Sequence, residues 1–410
     1  MTRSVLLVSR IFAPERAAAA YRLSALYEAL ESAGASLHVL TSRSPHDETS
    51  ALVGTSERGR VSRWPVLRDA DGYLRGYLPY VSFDLPLVLR LALVRRPDVV
   101  VVEPPPTTGA VVRTVLAVRR AASRRPIPYV YYAADVWSDA SASTGAPHWV
   151  VSVLRWVERY ALSGAVEVIA VTEGVADRVR ILGARTVTVV PNGIDTHAFS
   201  PDHPGDGRGV QGAWRDLDIP AGPFLLYAGT ASEWQGAEIF AAAMRLVVEE
   251  IPEARVVFLG QGTSWPTVQR IAETLPAGAI TCLPLAMPAE AAVWHRAACA
   301  ALVSVKPDIG YDFAYPTKVL AALACGTPVI YVGPGPAAAD LREHGLGVAV
   351  SYEVEAVAEA MLVALRLKPD GPARRARVDW VHAHRSVEAT AKAAAEVILR
   401  PHASPRRARV

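Results

Sequence analysis

The stretch Asp308 to Gly335, DIGYDFAYPTKVLAALACGTPVIYVGPG, decides the fold class. It reads as loop, helix, tight turn, strand and loop. Pro316 fits a first helical turn, where its missing N–H would be unpaired anyway. Thr317 to Cys325 is an Ala/Leu-rich helix pattern that Gly326 ends in the C′ role. Thr327 and Pro328 turn the chain, and Val329 to Val332 is a short buried strand. A free helix N-terminus, with Thr317 and Lys318 in its first turn, therefore faces a loop rich in Gly and Pro. Unpaired amides, the positive end of the helix dipole and an ammonium together suit a diphosphate. An ordinary helix with a solvated Lys318 accounts for the same residues, and composition alone does not separate the two.

Working outward, the second half repeats this alternation. Strands are predicted at Phe224–Gly229, Arg255–Leu259, Ala279–Leu283, Ala300–Val305 and Gly347–Val350. Helices are predicted at Ala237–Glu250, Pro288–Ala298, Val354–Leu367 and Val378–Leu399. The first half carries its own set, with short apolar strands at Val5–Val8, Leu37–Thr41, Pro97–Val102, Ile127–Tyr132, Ala165–Val171 and Val187–Val190. Helices are expected at Tyr21–Ser32, Thr108–Arg120 and Trp149–Ser163, the last with Trp156 and Tyr160 on its core face. Apolar strands alternating with helices mean parallel sheets covered on both faces, so two doubly wound α/β domains are expected. Residues 42–75 are poor in pattern and leave room for one edge strand. Pro191-Asn192-Gly193 predicts a tight turn with positive φ at or near Gly193. The expected divisions are 1–200, 201–375, a helix at 376–400 that packs back on the first domain, and a disordered basic tail at 401–410.

In an open α/β sheet, ligands bind beyond the carboxyl ends of the strands. The loop after the first strand thus brings Pro14, Glu15, Arg16 and Arg22 to the mouth of a crevice. It holds four alanines, Ala17 to Ala20, and no glycine-rich fingerprint, so a nicotinamide cofactor is not expected. Asp135 and Trp137 lie just past another strand end. Asp135 suits either a substrate contact or a helix N-cap.

Composition sets further bounds. A chain of 410 residues with 51% hydrophobic residues is long enough for two domains, and a net charge of +3 gives no strong field for nucleic acid. Cys282, Cys299 and Cys325 form neither a disulfide framework nor a metal spacing, which fits a reducing cytoplasm. The apolar run at the N-terminus is short for a signal peptide. The longest apolar segment, Tyr77 to Val94, is interrupted by Asp84, Pro86 and Arg90. It reads as a core helix with a basic end or as a segment in weak contact with a membrane surface.

Three motif groups then stand in a telling order: Val190-Pro191-Asn192-Gly193-Ile194-Asp195 with Phe199 and Pro201, Tyr227-Ala228-Gly229 with Gln235-Gly236, and Ala324-Cys325-Gly326-Thr327-Pro328-Val329-Ile330. Together they resemble a family 4 glycosyltransferase of the GT-B fold, over nearly the whole chain. Pro316-Thr317-Lys318 and Asp135-Val136-Trp137 are similar to the bacterial WbuB-like branch. The resemblance implies two Rossmann-like domains facing across a cleft. It also implies a retaining transfer of a sugar, an N-acetylhexosamine or other hexose, from a UDP-sugar to a small or lipid-linked acceptor. It further implies that no metal or other cofactor is needed. Donor contacts carried over are Gly229, Thr230, Gln235, Gly236, Met287, Pro316, Thr317 and Lys318. Lys318 would stabilise charge on the leaving diphosphate, and Asp135 would stand with it as a catalytic residue. Glu15, Arg16, Arg22 and Trp137 would approach the acceptor.

The chain also departs from this pattern. The family has Arg and Lys where Thr230 and Gln235 stand, and a His where Ala134 stands. A Glu pair spaced eight apart falls on Phe313 and Ala321. The second Glu of that pair normally holds ribose hydroxyls. The alternative expectation is therefore a non-catalytic relative that binds a nucleotide.

Overall fold

The computed structural model describes residues 2–15, 18–44, 59–68, 74, 77–123, 125–143, 146–202, 217, 219–368 and 370–401. The chain divides into two units, one of Met1–Asn192 with Thr390–Val410, the other of Gly193–Ala389.

The first unit is a parallel sheet of β1 (Ser4–Val8), β2 (Ser36–Ser42), β3 (Gly59–Trp64), β4 (Val99–Val102), β5 (Tyr129–Ala133), β6 (Glu167–Ala170) and β7 (Val187–Val189). Their order across the sheet is β3-β2-β1-β4-β5-β6-β7. β4 is four buried valines, the pattern of a strand covered on both faces. Val5 of β1 lies opposite Leu37 on one side and Val99 on the other. The strand order reverses between β1 and β4, so the loops after these two strands diverge and leave a crevice. The helices are α1 (Ala18–Ser32), α2 (Tyr77–Leu93), α3 (Pro106–Ser123), α4 (Trp137–Ser143), α5 (His148–Ser163) and α6 (Glu173–Ile181). α2 packs on α3, and α3 on α5.

The second unit is a parallel sheet of β8 (Phe224–Thr230), β9 (Arg255–Gln261), β10 (Ile280–Leu283), β11 (Ala300–Ser304), β12 (Val329–Val332) and β13 (Gly347–Val350). They run in the order β10-β9-β8-β11-β12-β13, so the reversal falls between β8 and β11. The helices are α7 (Glu238–Glu250), α8 (Trp265–Ala272), α9 (Pro288–Ala297), α10 (Thr317–Ala324), α11 (Pro336–His344), α12 (Val354–Arg366) and α13 (Gly371–His384), while α14 (Val387–Leu399) belongs to the first unit from Thr390 on. One core gathers Tyr227, Phe240, Met244, Phe258 and Met361 beneath α7 and α12. Gly326 adopts φ 79 after α10, as its C′ role requires.

Several expectations need correction. Gly193 is not among the glycines with positive φ. The chain there instead runs straight enough for Ile194 to bridge Ser386, and Asp195 Oδ1 accepts the amides of His197 and Ala198 to make the turn. The long helix expected from Val378 is two helices. Arg385 adopts φ −137 and interrupts the ladder between α13 and α14. α8 was not foreseen: it is only eight residues long, and Val268 is its one buried residue. Trp156 is not on the core face of α5: it is 69% exposed, and Val151, Ala161 and Leu162 take the core positions. Arg16, the segment around Trp214 and residues 402–410 lie outside the described residues.

Candidate active site

In the second unit the crevice is built from the loops after β8 and β11. The last residue but one of β8 is Gly229, held at φ 107. A side chain there would sit 2.9 Å from the ammonium of Lys318. The Lys318 Nζ donates to the Thr230 carbonyl at 2.6 Å and lies 5.0 Å from the centre of the Tyr227 ring. The Tyr227 hydroxyl donates to the same carbonyl at 2.9 Å. Beyond it, the buried Gln235 folds inward, its Oε1 accepting the Ser232 amide at 3.0 Å. Gly236 closes the loop at φ 61, and the Tyr352 hydroxyl donates to its carbonyl at 2.7 Å.

The loop after β11 forms the other wall. The Lys306 amide donates to the Trp234 carbonyl at 2.9 Å, which ties the two loops together. Trp234 stacks on Tyr311 with ring centres 5.0 Å apart. Asp308, at φ 62, is the one described non-glycine residue in the left-handed region. Pro316 is the N-cap of α10, one residue earlier than expected, and no side chain accepts from the first amides of that helix. Amides aimed at a Gly-rich loop, with Lys318 among them, make an anion-binding corner.

The electrostatics of this corner are unusual. Burial pushes the Lys318 ammonium down from 10.5 to about 7, so it carries a partial charge at neutral pH. His295 nearby is fully buried, and burial, then the charges of Lys318 and Arg296, push it down to about 3. It is therefore neutral. Met287 and Leu285, on the approach to α9, are exposed by 60% and 53%. Thr317 is exposed in the first turn of α10.

In the first unit the crevice between β1 and β4 holds a charged cluster. Glu103 follows the valines of β4 and pairs with Arg22 of α1. Its second oxygen accepts from Ser9 Oγ at 3.1 Å. Arg22 also reaches Asn192 Oδ1 at 3.4 Å and lies over the Tyr132 ring at 5.3 Å. Burial works against the Arg22 charge, but Glu103, Tyr132 and Asp135 outweigh it and hold the guanidinium above its ordinary value. The Asp135 carboxyl is reachable by solvent at the crevice, yet it is raised. Loss of hydration is the main cause. Glu103 adds to it, and Arg22 opposes it. Arg10 lies 3.8 Å over the Tyr80 ring and 5.8 Å from that of Trp137.

Asp135 does not cap α4. The amides of Trp137 and Ser138 donate to the Glu158 carboxylate, at 2.9 and 3.1 Å, so the Asp135 side chain is left for other work. Glu15 is taken up by Arg68. The structure thus gathers Gly229, Thr230, Gly236, Pro316, Thr317 and Lys318 at one corner and Arg22, Asp135 and Trp137 at another. Gln235 shapes its loop from within, and Met287 stands apart at the N-cap of α9. Reading the sequence missed Arg10, Glu103, Tyr352 and the Trp234–Tyr311 stack. Glu103 alone had a usable signal, an acid at the carboxyl end of a four-valine strand. Among the described residues no group of three or more His, Cys, Asp or Glu side chains is placed to hold a metal ion.

Two family models match the chain: a glycosyl transferase 4-like domain over residues 18–193 and glycosyl transferases group 1 over residues 222–366. The chain is a glycosyltransferase of the GT-B fold, with GT4-type domains. By sequence, no curated protein matches it. Solved structures with the same fold include a sucrose-phosphate synthase of Thermosynechococcus elongatus, at 18% identity and TM-score 0.67, covering 96% of this chain and 98% of that one. Anabaena Alr3699/HepE in complex with UDP and glucose matches at 16% identity and TM-score 0.64, covering 96% and 99%. WaaG, a glycosyltransferase involved in lipopolysaccharide biosynthesis, matches at 15% identity and TM-score 0.63, again covering 96% and 99%. The two units of the transferase thus correspond to a GT-B pair, and their sheets reverse at β1/β4 and β8/β11.

Proposed function

We propose that this transferase moves a hexose, an N-acetylhexosamine in the first instance, from a UDP-sugar to a small or lipid-linked acceptor with retention at the anomeric carbon, as in the WbuB-like branch. The observation that carries the reading is Lys318 at the open N-terminus of α10, seated on the Gly229-Thr230 loop. As the diphosphate leaves, negative charge grows on its terminal oxygens. Preorganised amides and an ammonium stabilise that charge without reorganisation, so no metal is required by this chemistry. Gly229 leaves room for the Lys318 ammonium, and Gly236 for the Tyr352 hydroxyl that fixes the loop. Met287 borders the nucleobase. In the first unit Asp135 and Trp137 face the acceptor, with Arg22 and Glu103 fixing the field at Asp135.

UDP enters from the fold neighbours, one of which was solved with UDP and glucose. The direct test is thermal melting of the purified chain against UDP, GDP, ADP and TDP, then turnover with the UDP-sugars. A ligand present at about 100 times its Kd stabilises by about 2.7 kcal/mol, several degrees for units of this size. A shift confined to another base would replace UDP in the reading. One feature favours a second reading, a nucleotide binder without turnover. Ala321, where a ribose-binding Glu stands in the family, is buried on α10 at 7% exposure and offers no hydrogen bond. Nucleotide-induced melting shifts without hydrolysis or transfer from any donor would favour it.

A further inference from the structure

α2 shows two apolar faces instead of one. Phe83, Leu87 and Leu91 are fully buried against the first unit, whereas Leu78, Val81, Leu85, Val88, Leu89 and Leu93 are all exposed, from 44% to 76%. Their spacing of three, four, three, one and four residues is one continuous stripe along a helix about 25 Å long. Leu67, 57% exposed, is pinned beside it through its amide to Ser82 Oγ at 2.9 Å. Two helices away in the same layer, α5 turns Trp149, Val153 and Trp156 outward, exposed by 71%, 53% and 69%. These again follow a helical repeat.

The exposed charges on these three helices are all of one sign. The acids of α2 and α5 are Asp84 and Glu158, both buried, and α3 has none. Asp84 accepts from Thr108 Oγ1 at 2.6 Å, and Glu158 caps α4. The exposed charged side chains are arginines, Arg95 and Arg96 after α2, Arg120 on α3, Arg125 just beyond it, and Arg155 and Arg159 on α5, with one acid among them, Asp98 in the turn after α2, which accepts the Ser4 amide at 2.8 Å. Apolar stripes with two tryptophans, rimmed by cations and bare of exposed acids on the three helices, match the requirements of a helix lying in the plane of a lipid headgroup layer. A second copy of this chain fits poorly, since a two-fold contact of this face with itself would set arginines against arginines with no exposed acid on the three helices to answer them.

We propose that the α2–α3–α5 face of the first unit docks on an anionic bilayer surface, with α2 and the α5 tryptophans seated at the headgroup level. No described helix is long and apolar enough to cross a membrane, so the contact is peripheral. It is independent of the donor reading.

The test is sedimentation of the full chain with phosphatidylcholine vesicles made with and without phosphatidylglycerol, at low and high salt. The expected result is binding to the anionic vesicles only, weakened by salt. Leu85→Glu/Leu89→Glu and Arg95→Glu/Arg96→Glu are each expected to lower the partition coefficient by about tenfold or more. All four positions are exposed, so the melting temperature and the UDP-induced melting shift are expected to stay as in the parent chain. Absence of binding to phosphatidylglycerol vesicles overturns the proposal, as does binding that both variants leave unchanged. A parent chain that is dimeric in sedimentation velocity, and that Leu85→Glu/Leu89→Glu converts to monomer without vesicle affinity, assigns the face to self-association and overturns it too.

Discussion

Lys318 provides the sharpest test of the donor site. Its ammonium is held at about 7 instead of 10.5, because burial removes its water and no acid compensates. A diphosphate placed on it restores the charged form and returns the group toward its ordinary range. Binding is therefore coupled to proton uptake. With the free site at about 7 and the bound site near 10, uptake is about 0.5 proton per site at pH 7, about 0.9 at pH 8 and about 0.1 at pH 6. A UDP-sugar is the proper probe, since its diphosphate diester has no group titrating near neutrality, and the neighbouring His295 is neutral throughout at about 3. Titration calorimetry in buffers of different ionisation heat reads the proton number as a slope. Lys318→Met is expected to abolish the slope and to weaken binding by tenfold or more, the scale of one charge-assisted contact of about 1.5–3 kcal/mol. Zero uptake at pH 8 in the parent chain, or the same uptake in Lys318→Met, would refute the assignment of Lys318 to the phosphates.

Other consequences follow from the same geometry. A lowered folded value means that the penalty for charging Lys318 is full below about pH 7 and fades as pH rises toward 10.5, so Lys318→Met is expected to raise the melting temperature more at pH 6.5 than at pH 9.5. Gly236→Ala places a Cβ 2.1 Å from the Tyr352 hydroxyl at φ 61. It is expected to cost about 2 kcal/mol or more and to lower the melting temperature by about 4–8 °C, with part of the loss recovered in Gly236→Ala/Tyr352→Phe. Glu103→Ala leaves Arg22 without its buried partner and is expected to cost about 3 kcal/mol, read by urea unfolding. Asp135→Asn is expected to leave UDP affinity within twofold in calorimetry while lowering turnover by a hundredfold or more.

The fold was legible because its signals are local. Val99 to Val102 can be little else than a strand covered on both faces, and Gly326 marks the end of α10 whatever surrounds it. What sequence could not show depends on partners far along the chain. Glu158 caps α4 from about twenty residues away, and so decides that Asp135 is not a cap. Arg22 and Glu103 stand 81 residues apart and meet only because β1 and β4 are neighbours across the reversal. Trp156 was misread for a related reason. An aromatic at helical spacing signals a face, and without the neighbouring helices nothing says whether that face turns inward or out.

The same distinction bears on the charges this chain lacks. The family places Arg and Lys where Thr230 and Gln235 stand, and a chain with both gone reads as a weakened donor site. In the structure Thr230 contributes its carbonyl and Gln235 turns its side chain inward, so neither is a vacant cation position. Lys318 thus sits on the carbonyl of a loop, Thr230 to Gly236, whose one charged side chain is the exposed acid Glu233 and which holds no cation of its own. Three cations held close together without a ligand would repel one another and be costly to desolvate. One lysine that is half-neutral at rest avoids that cost and becomes fully charged only when the diphosphate arrives. Affinity at such a site depends on pH. Below about pH 7 the lysine is already charged and proton uptake no longer opposes binding. Above it, apparent affinity falls by up to tenfold per pH unit until the bound lysine itself deprotonates. A site with a permanently charged arginine in that place would show no such slope, so measuring Kd from pH 6 to pH 9 distinguishes one titrating ammonium from any arrangement in which another cation of the unit takes the phosphates.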